Sequence, residues 1–153
     1  MAGSCGLQDG DLELRTENMP TRISRETTTS DFVQRVEAIS GQDLLKCNQC
    51  GKCSAGCPVT FAMDLLPNQV IRLAQLGLEQ EALSCQTIWY CASCLACGSR
   101  CPKGIDLPRV MEALRLILLR QGIDRVTITN IARDDLAEAP QQAFISGFRK
   151  YVS

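Results

Sequence analysis

Eight cysteines of this 153-residue chain fall into two copies of one pattern. Cys47, Cys50, Cys53 and Cys57 are followed at once by Pro58, and Cys91, Cys94, Cys97 and Cys101 by Pro102, so that each run reads C-x-x-C-x-x-C-x-x-x-C-P. The thiolate is the ligating form of cysteine. Two intervening residues let the chain curl so that successive sulfurs face one centre, and the chemistry such a run can do is metal ligation. Structural zinc sites also use C-x-x-C elements, but they take two ligands from each of two separated pairs and often add histidine. This chain contains no histidine. A disulfide framework suits small secreted chains, yet Met1 to Gly41 shows no basic stretch followed by a long apolar one, which makes a reducing, cytoplasmic location the expectation.

The run resembles the ligand spacing of bacterial ferredoxins, in which three close cysteines hold one [4Fe-4S] cube and the fourth reaches the other cluster. Carried over position by position, the resemblance implies one cluster on Cys47, Cys50, Cys53 and Cys101 and a second on Cys91, Cys94, Cys97 and Cys57. Zinc and disulfides are the rival readings. Pro58 and Pro102 lack an N–H and fix φ, so each turns the chain out of its ligand loop. Cys5 and Cys85 stand outside the repeat. Cys5 reads as a free thiol in a terminal arm, and Cys85 as a small buried apolar residue.

Length and apolar content fit one domain with a single core. Aromatic residues are few, with one Trp, two Tyr and four Phe, so inorganic clusters would fill volume that side chains otherwise occupy. The formal charge of −1 omits the metal. Eight thiolates and two 2+ cores bring the loaded form to about −5. Lys and Arg are dispersed without a basic stripe, which argues against nucleic acid. The longest apolar stretch, Leu114 to Leu119, is interrupted by Arg115 and closed by Arg120, too short to span a membrane.

The elements that must position the two runs are helical. Residues 1–29 read as an arm, with Leu12 and Leu14 alternating in a short strand-like stretch closed by Pro20. Residues 30–122 read as the dicluster domain, and residues 123–153 as a C-terminal extension. Thr28 to Asp31 offer N-caps for a helix whose apolar face is Phe32, Val33, Val36 and Ile39, ended by Gly41. Asp43 to Lys46 make a short helical approach to Cys47. Between the runs, Pro67 opens a helix carrying Leu66, Val70, Ile71, Leu73 and Ala74 at helical spacing, with Gly77 past its end and a second helix over 78–84. Trp89 and Tyr90 precede Cys91 as candidate shields for a cluster. Asp106 caps a helix with Pro108 in its first turn and a face of Leu107, Val110, Met111, Leu114, Ile117 and Leu118, ended by Gly122. After the β-branched run from Val126 to Thr129, a helical patch near Ile131 to Ala137 leads to a tail in which Phe144, Ile145, Phe148, Tyr151 and Val152 fall near one helical side. A long helical connection between the runs favours an all-α cluster domain over the β-containing small ferredoxins.

Lys46 to Gln121, with CNQCGKCSAGCPV, a helical linker and IWYCASCLACGSRCPKGIDLPRV, resembles the C-type polypeptide of heterodisulfide reductase and its bacterial relatives. That resemblance implies an α-helical ferredoxin with two [4Fe-4S] clusters, carrying electrons between a flavin and iron-sulfur A-type subunit and a disulfide-reducing B-type catalytic subunit. The same module is similar to parts of succinate dehydrogenase, glycolate oxidase and anaerobic glycerol-3-phosphate dehydrogenase iron-sulfur subunits. Against those, only Cys5 precedes the module and no cysteine follows Cys101. With no Gly-rich dinucleotide fingerprint and no nucleophile beside a base, the chain is expected to hold no catalytic site of its own. The competing reading is a scaffold whose clusters only hold partners together. The tail's apolar face is expected to dock a partner.

Overall fold

The structure, a computed structural model, describes residues 30–122 and 124–152; the arm over 1–29, with Cys5, the Leu12 and Leu14 stretch and the caps at Thr28 and Thr29, lies outside them. Among the described residues every regular element is helical: α1 (Asp31–Ser40), α2 (Lys52–Ala55), α3 (Pro67–Leu76), α4 (Glu79–Ser84), α5 (Thr87–Tyr90), α6 (Ala96–Arg100), α7 (Leu107–Leu119), α8 (Arg133–Glu138) and α9 (Gln141–Tyr151), with single 3-10 turns at Leu44–Lys46, Thr60–Ala62 and Ile128–Asn130. The fold is all-α.

The core is built on α7, which packs against α1, α4, α5 and α6. Val110, Met111, Leu114 and Ile117 recur at i, i+1, i+4 and i+7, so they lie along one side of α7 and are buried. Phe32, Val33 and Val36 of α1, Val70, Ile71 and Ala74 of α3, and Ile88 of α5 close over that side. Arg115 is buried with them at 6% exposure, because its Nη1 donates to the Ile88 carbonyl at 2.6 Å. A buried guanidinium without an acceptor would be strongly destabilising, so this bond fixes how α5 sits on α7.

Helix ends follow the sequence signals at Gly41 and Gly77 and depart from them elsewhere: Ser30 precedes α1 without a side-chain cap, and α7 stops at Leu119, before Gly122. Gly41 and Gly77 take left-handed φ of 66° and 71° just past α1 and α3, where a side chain would be strained. Asp106 precedes α7 but makes no side-chain cap; its Oδ2 instead pairs with Arg109 Nε at 3.2 Å. Leu66, expected on the apolar face of α3, is its N-cap and is 43% exposed, because Pro67 starts the helix one residue later. The β-branched run at Val126 to Thr129 forms no strand.

The C-terminal segment turns back on the core. Tyr151 stacks on Trp89 with ring centroids 5.8 Å apart and donates its hydroxyl to the Trp89 carbonyl at 3.3 Å. Arg125 N donates to the Tyr151 carbonyl at 2.8 Å. Along the same helix Ile145 stays 55% exposed.

Candidate iron-sulfur centre

The two cysteine runs fold as the same local structure. In the first, Gln49 and Gly51 take φ of 57° and 75°; in the second, the equivalent Ser93 and Leu95 take 52° and 64°. Three of these four are not glycine, and a left-handed backbone costs such residues energy unless something over-determines it. Each loop then enters a short helix, α2 or α6, that contributes the third cysteine, and the two helices pack on each other. Arg100 lies over Gly56 there, where a Cβ would fall 2.6 Å from its side chain and displace the guanidinium.

One apolar recess gathers Cys57 from the first run with Cys91, Cys94 and Cys97 from the second, walled by Val59, Met63, Leu107 and Met111. Around the first run the links are pairwise. Cys47 lies close enough to Cys53 to help raise its thiol pKa, burial being the larger cause. Gln49 Nε2 approaches Cys47 Sγ at 3.6 Å, and Ile105 N donates to Cys101 Sγ at 3.4 Å. Cys50 and Cys94 are exposed while the other six repeat cysteines are half-buried. Burial, Cys91 and, more weakly, Cys53 push the Cys97 thiol up to about 11, so thiols of the two runs feel one another across the α2 and α6 contact. Raised thiol values mean that metal loading must expel protons.

Among the described residues no group of three or more His, Cys, Asp or Glu converges as a single bound ion requires. Tetrahedral zinc at about 2.3 Å from each sulfur would draw its ligands together. A cube binds each thiolate through a different iron, so its ligands ring a larger volume, as the four cysteines ring this apolar recess. Soft sulfur donors and an apolar wall at this recess, and N–H groups directed at the sulfurs of Cys47 and Cys101 outside it, fit iron-sulfur clusters.

Several polar residues that hold these loops carry no sequence signature. Gln75 is 5% exposed, and its Nε2 donates to the carbonyls of Leu44 at 2.7 Å and Cys47 at 2.9 Å while its Oε1 accepts from Gln49 Nε2 at 3.2 Å. Asp64 accepts from Gln86 N at 2.8 Å, Thr87 N at 2.8 Å and Thr87 Oγ1 at 2.7 Å, pinning the approach to the second run. Burial alone would raise the Asp64 pKa; the hydrogen bonds from Thr87, Gln86 and Leu65 outweigh it and hold the carboxyl below its usual range. Trp89 is buried against Tyr151 and does not line the recess, so its shielding is of the backbone before Cys91 rather than of the cysteines gathered there. Cys85 is buried, its thiol bonded to the Ala82 carbonyl at 3.2 Å.

Residues 43–105 match the family described as the 4Fe-4S dicluster domain. The chain carries a 4Fe-4S dicluster domain. Its cofactors are two [4Fe-4S] clusters, and the fold is that of an α-helical ferredoxin. Curated relatives are C-type polypeptides of heterodisulfide reductases. The chain is 33% identical over 101 residues to the C-type polypeptide of the H(2):CoB-CoM heterodisulfide,ferredoxin reductase of Methanothermobacter marburgensis, covering 66% of this chain and 53% of that one. It is 31% identical over 108 residues to an iron-sulfur C-type polypeptide of the CoB-CoM heterodisulfide reductase of Methanocaldococcus jannaschii, covering 65% and 58%. It is 32% identical over 96 residues to the C-type polypeptide of the Ferredoxin:CoB-CoM heterodisulfide reductase of Methanosarcina mazei, covering 63% and 59%. The chain thus spans somewhat more than half the length of these relatives. No helix among the described residues is long and apolar enough to cross a membrane.

Proposed function

We propose that this chain is an electron-transfer subunit of a heterodisulfide-reductase-like complex, relaying electrons between a flavin and iron-sulfur A-type subunit and a disulfide-reducing B-type subunit. One cluster is held by Cys47, Cys50, Cys53 and Cys101; Cys91, Cys94, Cys97 and Cys57 hold the other. The observation that supports this reading most is the recess in which Cys57 of the first run joins three cysteines of the second. Each ligand set also includes one exposed cysteine, Cys50 or Cys94, which brings each cluster to the surface where a partner's redox centre can approach.

In this reading the arm over 1–29 and the extension over 123–153 hold the partners in register. Tyr151 faces inward, so the docking face of the tail reduces to Phe144, Ile145 and Phe148. Protein purified without oxygen should contain about eight iron and eight acid-labile sulfide per chain. Within the purified complex, both clusters should be reduced and reoxidised on the timescale of turnover. Clusters that stay in one oxidation state while the complex turns over would leave the scaffold reading in its place. Ile145→Asp should release the catalytic partner without loss of iron; retention of the partner would remove the tail from the docking surface.

A further inference from the structure

The two runs share spacing and backbone but differ in what caps the carbonyl of their first cysteine. The Cys47 carbonyl accepts from the neutral amide of Gln75 at 2.9 Å. The equivalent Cys91 carbonyl accepts from the Lys150 ammonium at 2.8 Å. Two more cations serve the same segment: Arg115, on the Ile88 carbonyl, and Arg125, on the side chain of Gln86. Tyr151 supplies the remaining donor, on the Trp89 carbonyl. The carbonyls of Ile88 and Trp89 in α5, and of Cys91 just past its end, are therefore met by a phenol and two cations, a favourable arrangement at the negative end of a helix.

Charges around the first run are placed otherwise. Arg72 reaches only the far end of the Gln75 amide, at 3.4 Å, one hydrogen bond further from the cysteine. Lys46 is paired with Asp43 at 3.7 Å, and Lys52 is exposed. Arg100 precedes Cys101 and lies over Gly56, which precedes Cys57; these cysteines belong to different ligand sets, so it does not distinguish them. Glu112, the acid that shares the groove with Lys150 and Arg115, is exposed and solvated.

We propose that Lys150, backed by Arg115, holds the cluster of the second run at the higher reduction potential, so that electrons enter at the first run and leave from the second. This rests on the reading that the two runs carry the clusters. The step moves one electron: the first cluster goes from [4Fe-4S]+ to [4Fe-4S]2+, the second from [4Fe-4S]2+ to [4Fe-4S]+, and no bond or proton changes place. The accepting site becomes one unit more negative, and a half-buried ammonium on its first ligand favours that state more than a solvated charge would. Lys150 is a positioning residue for charge. The B-type partner then belongs at the Cys94 side and the electron donor at the Cys50 side. Coupling of this kind is reciprocal, so reduction must tighten the hold of α9 on Cys91 by the same factor.

The test is a redox titration of the loaded full chain with dithionite, followed by paramagnetic resonance, each cluster being assigned from Cys57→Ala and Cys101→Ala. In the unaltered chain the second cluster should reduce first. Lys150→Gln should lower its reduced-to-oxidised ratio at fixed potential by ~10-fold, 59 mV for one electron, and leave the first cluster in place. Lys150→Arg should restore the original value, and Arg149→Gln, which removes an exposed charge one residue away, should move neither. Equal potentials, the reverse order, or a shift that Lys150→Arg shares would overturn the proposal. Hydrogen exchange of the unaltered chain supplies a reading independent of any variant: amides of 141–151 should exchange ~10-fold more slowly when the clusters are reduced, and unchanged exchange contradicts it. A chain without iron and sulfide would instead overturn the cluster reading on which this rests.

Discussion

The first and second cysteine runs are two solutions to one geometric problem, and their differences are more informative than their likeness. Both put left-handed residues two and four positions after the first cysteine, both enter a short helix at the third, and both leave through a proline. The first run uses Gly51 where the second uses Leu95, and a buried amide, Gln75, where the second uses an ammonium and a guanidinium. What repeats is what ligation requires. What differs is the surroundings, which in iron-sulfur proteins tune potential through charge, hydrogen bonding and burial.

The largest effect should come from removing what the two runs share. Stripping iron with a chelator under anaerobic conditions should collapse the stretches 47–57 and 87–101, because α2, α5 and α6 are only four or five residues long and cannot persist as isolated helices. Far-ultraviolet circular dichroism should fall and amide protection in those stretches should vanish, while α1 and α7 keep part of theirs. Retention of full helicity would mean that the side-chain core alone holds the loops.

Next in size is the support peculiar to the first run. Gln75→Leu leaves the Leu44 and Cys47 carbonyls without their shared donor, at a cost of about 2–4 kcal/mol in chemical unfolding. Its damage should be confined to the first cluster, and equal loss of both would show that the supports are not separate.

Asp64, which tethers the second run, should cost about 1–2 kcal/mol when replaced by Ala. Its effect depends on pH in a defined direction. The folded carboxyl titrates below its unfolded value of about 3.9, so its contribution is fully present above that pH and is lost as pH falls through the folded value. The Asp64→Ala chain should therefore show a flatter acid limb below the unfolded carboxyl value; parallel limbs would mean that the hydrogen bonds work without the charge.

The smallest effect comes from exchanging the residues at the equivalent left-handed position. No atom lies within 4 Å of a Cβ built on Gly51, so Gly51→Leu meets backbone strain alone and should destabilise by ~1 kcal/mol. Leu95→Gly relieves the same strain and should stabilise by a similar amount. Opposite signs in a thermal melt would show that the two loops are one structure built twice.

The repeat, the all-α class and the main helices were legible because spacing carries them: cysteines at fixed intervals, α7 with apolar residues at i, i+1, i+4 and i+7, and Gly41 and Gly77 at helix ends. The supports were not. Gln75, Asp64 and Arg115 are ordinary polar residues of helix and loop in one dimension, and become necessary only when folding brings them against carbonyls and N–H groups more than twenty residues away, burying Gln75 and Arg115. The tail shows the same limit. Its apolar period predicts a helix, which forms, but the period does not say that Tyr151 turns inward while Ile145 faces out.

The central claim is that each cluster borrows one ligand from the other run, and paramagnetic resonance of the reduced Cys57→Ala and Cys101→Ala chains tests it most directly. Loss or conversion of the cluster held by Cys91, Cys94 and Cys97 in the first variant, and of the cluster held by Cys47, Cys50 and Cys53 in the second, is the expected result. If each substitution instead destroys the cluster of its own run and spares the other, the ligand sets are local and the account is wrong.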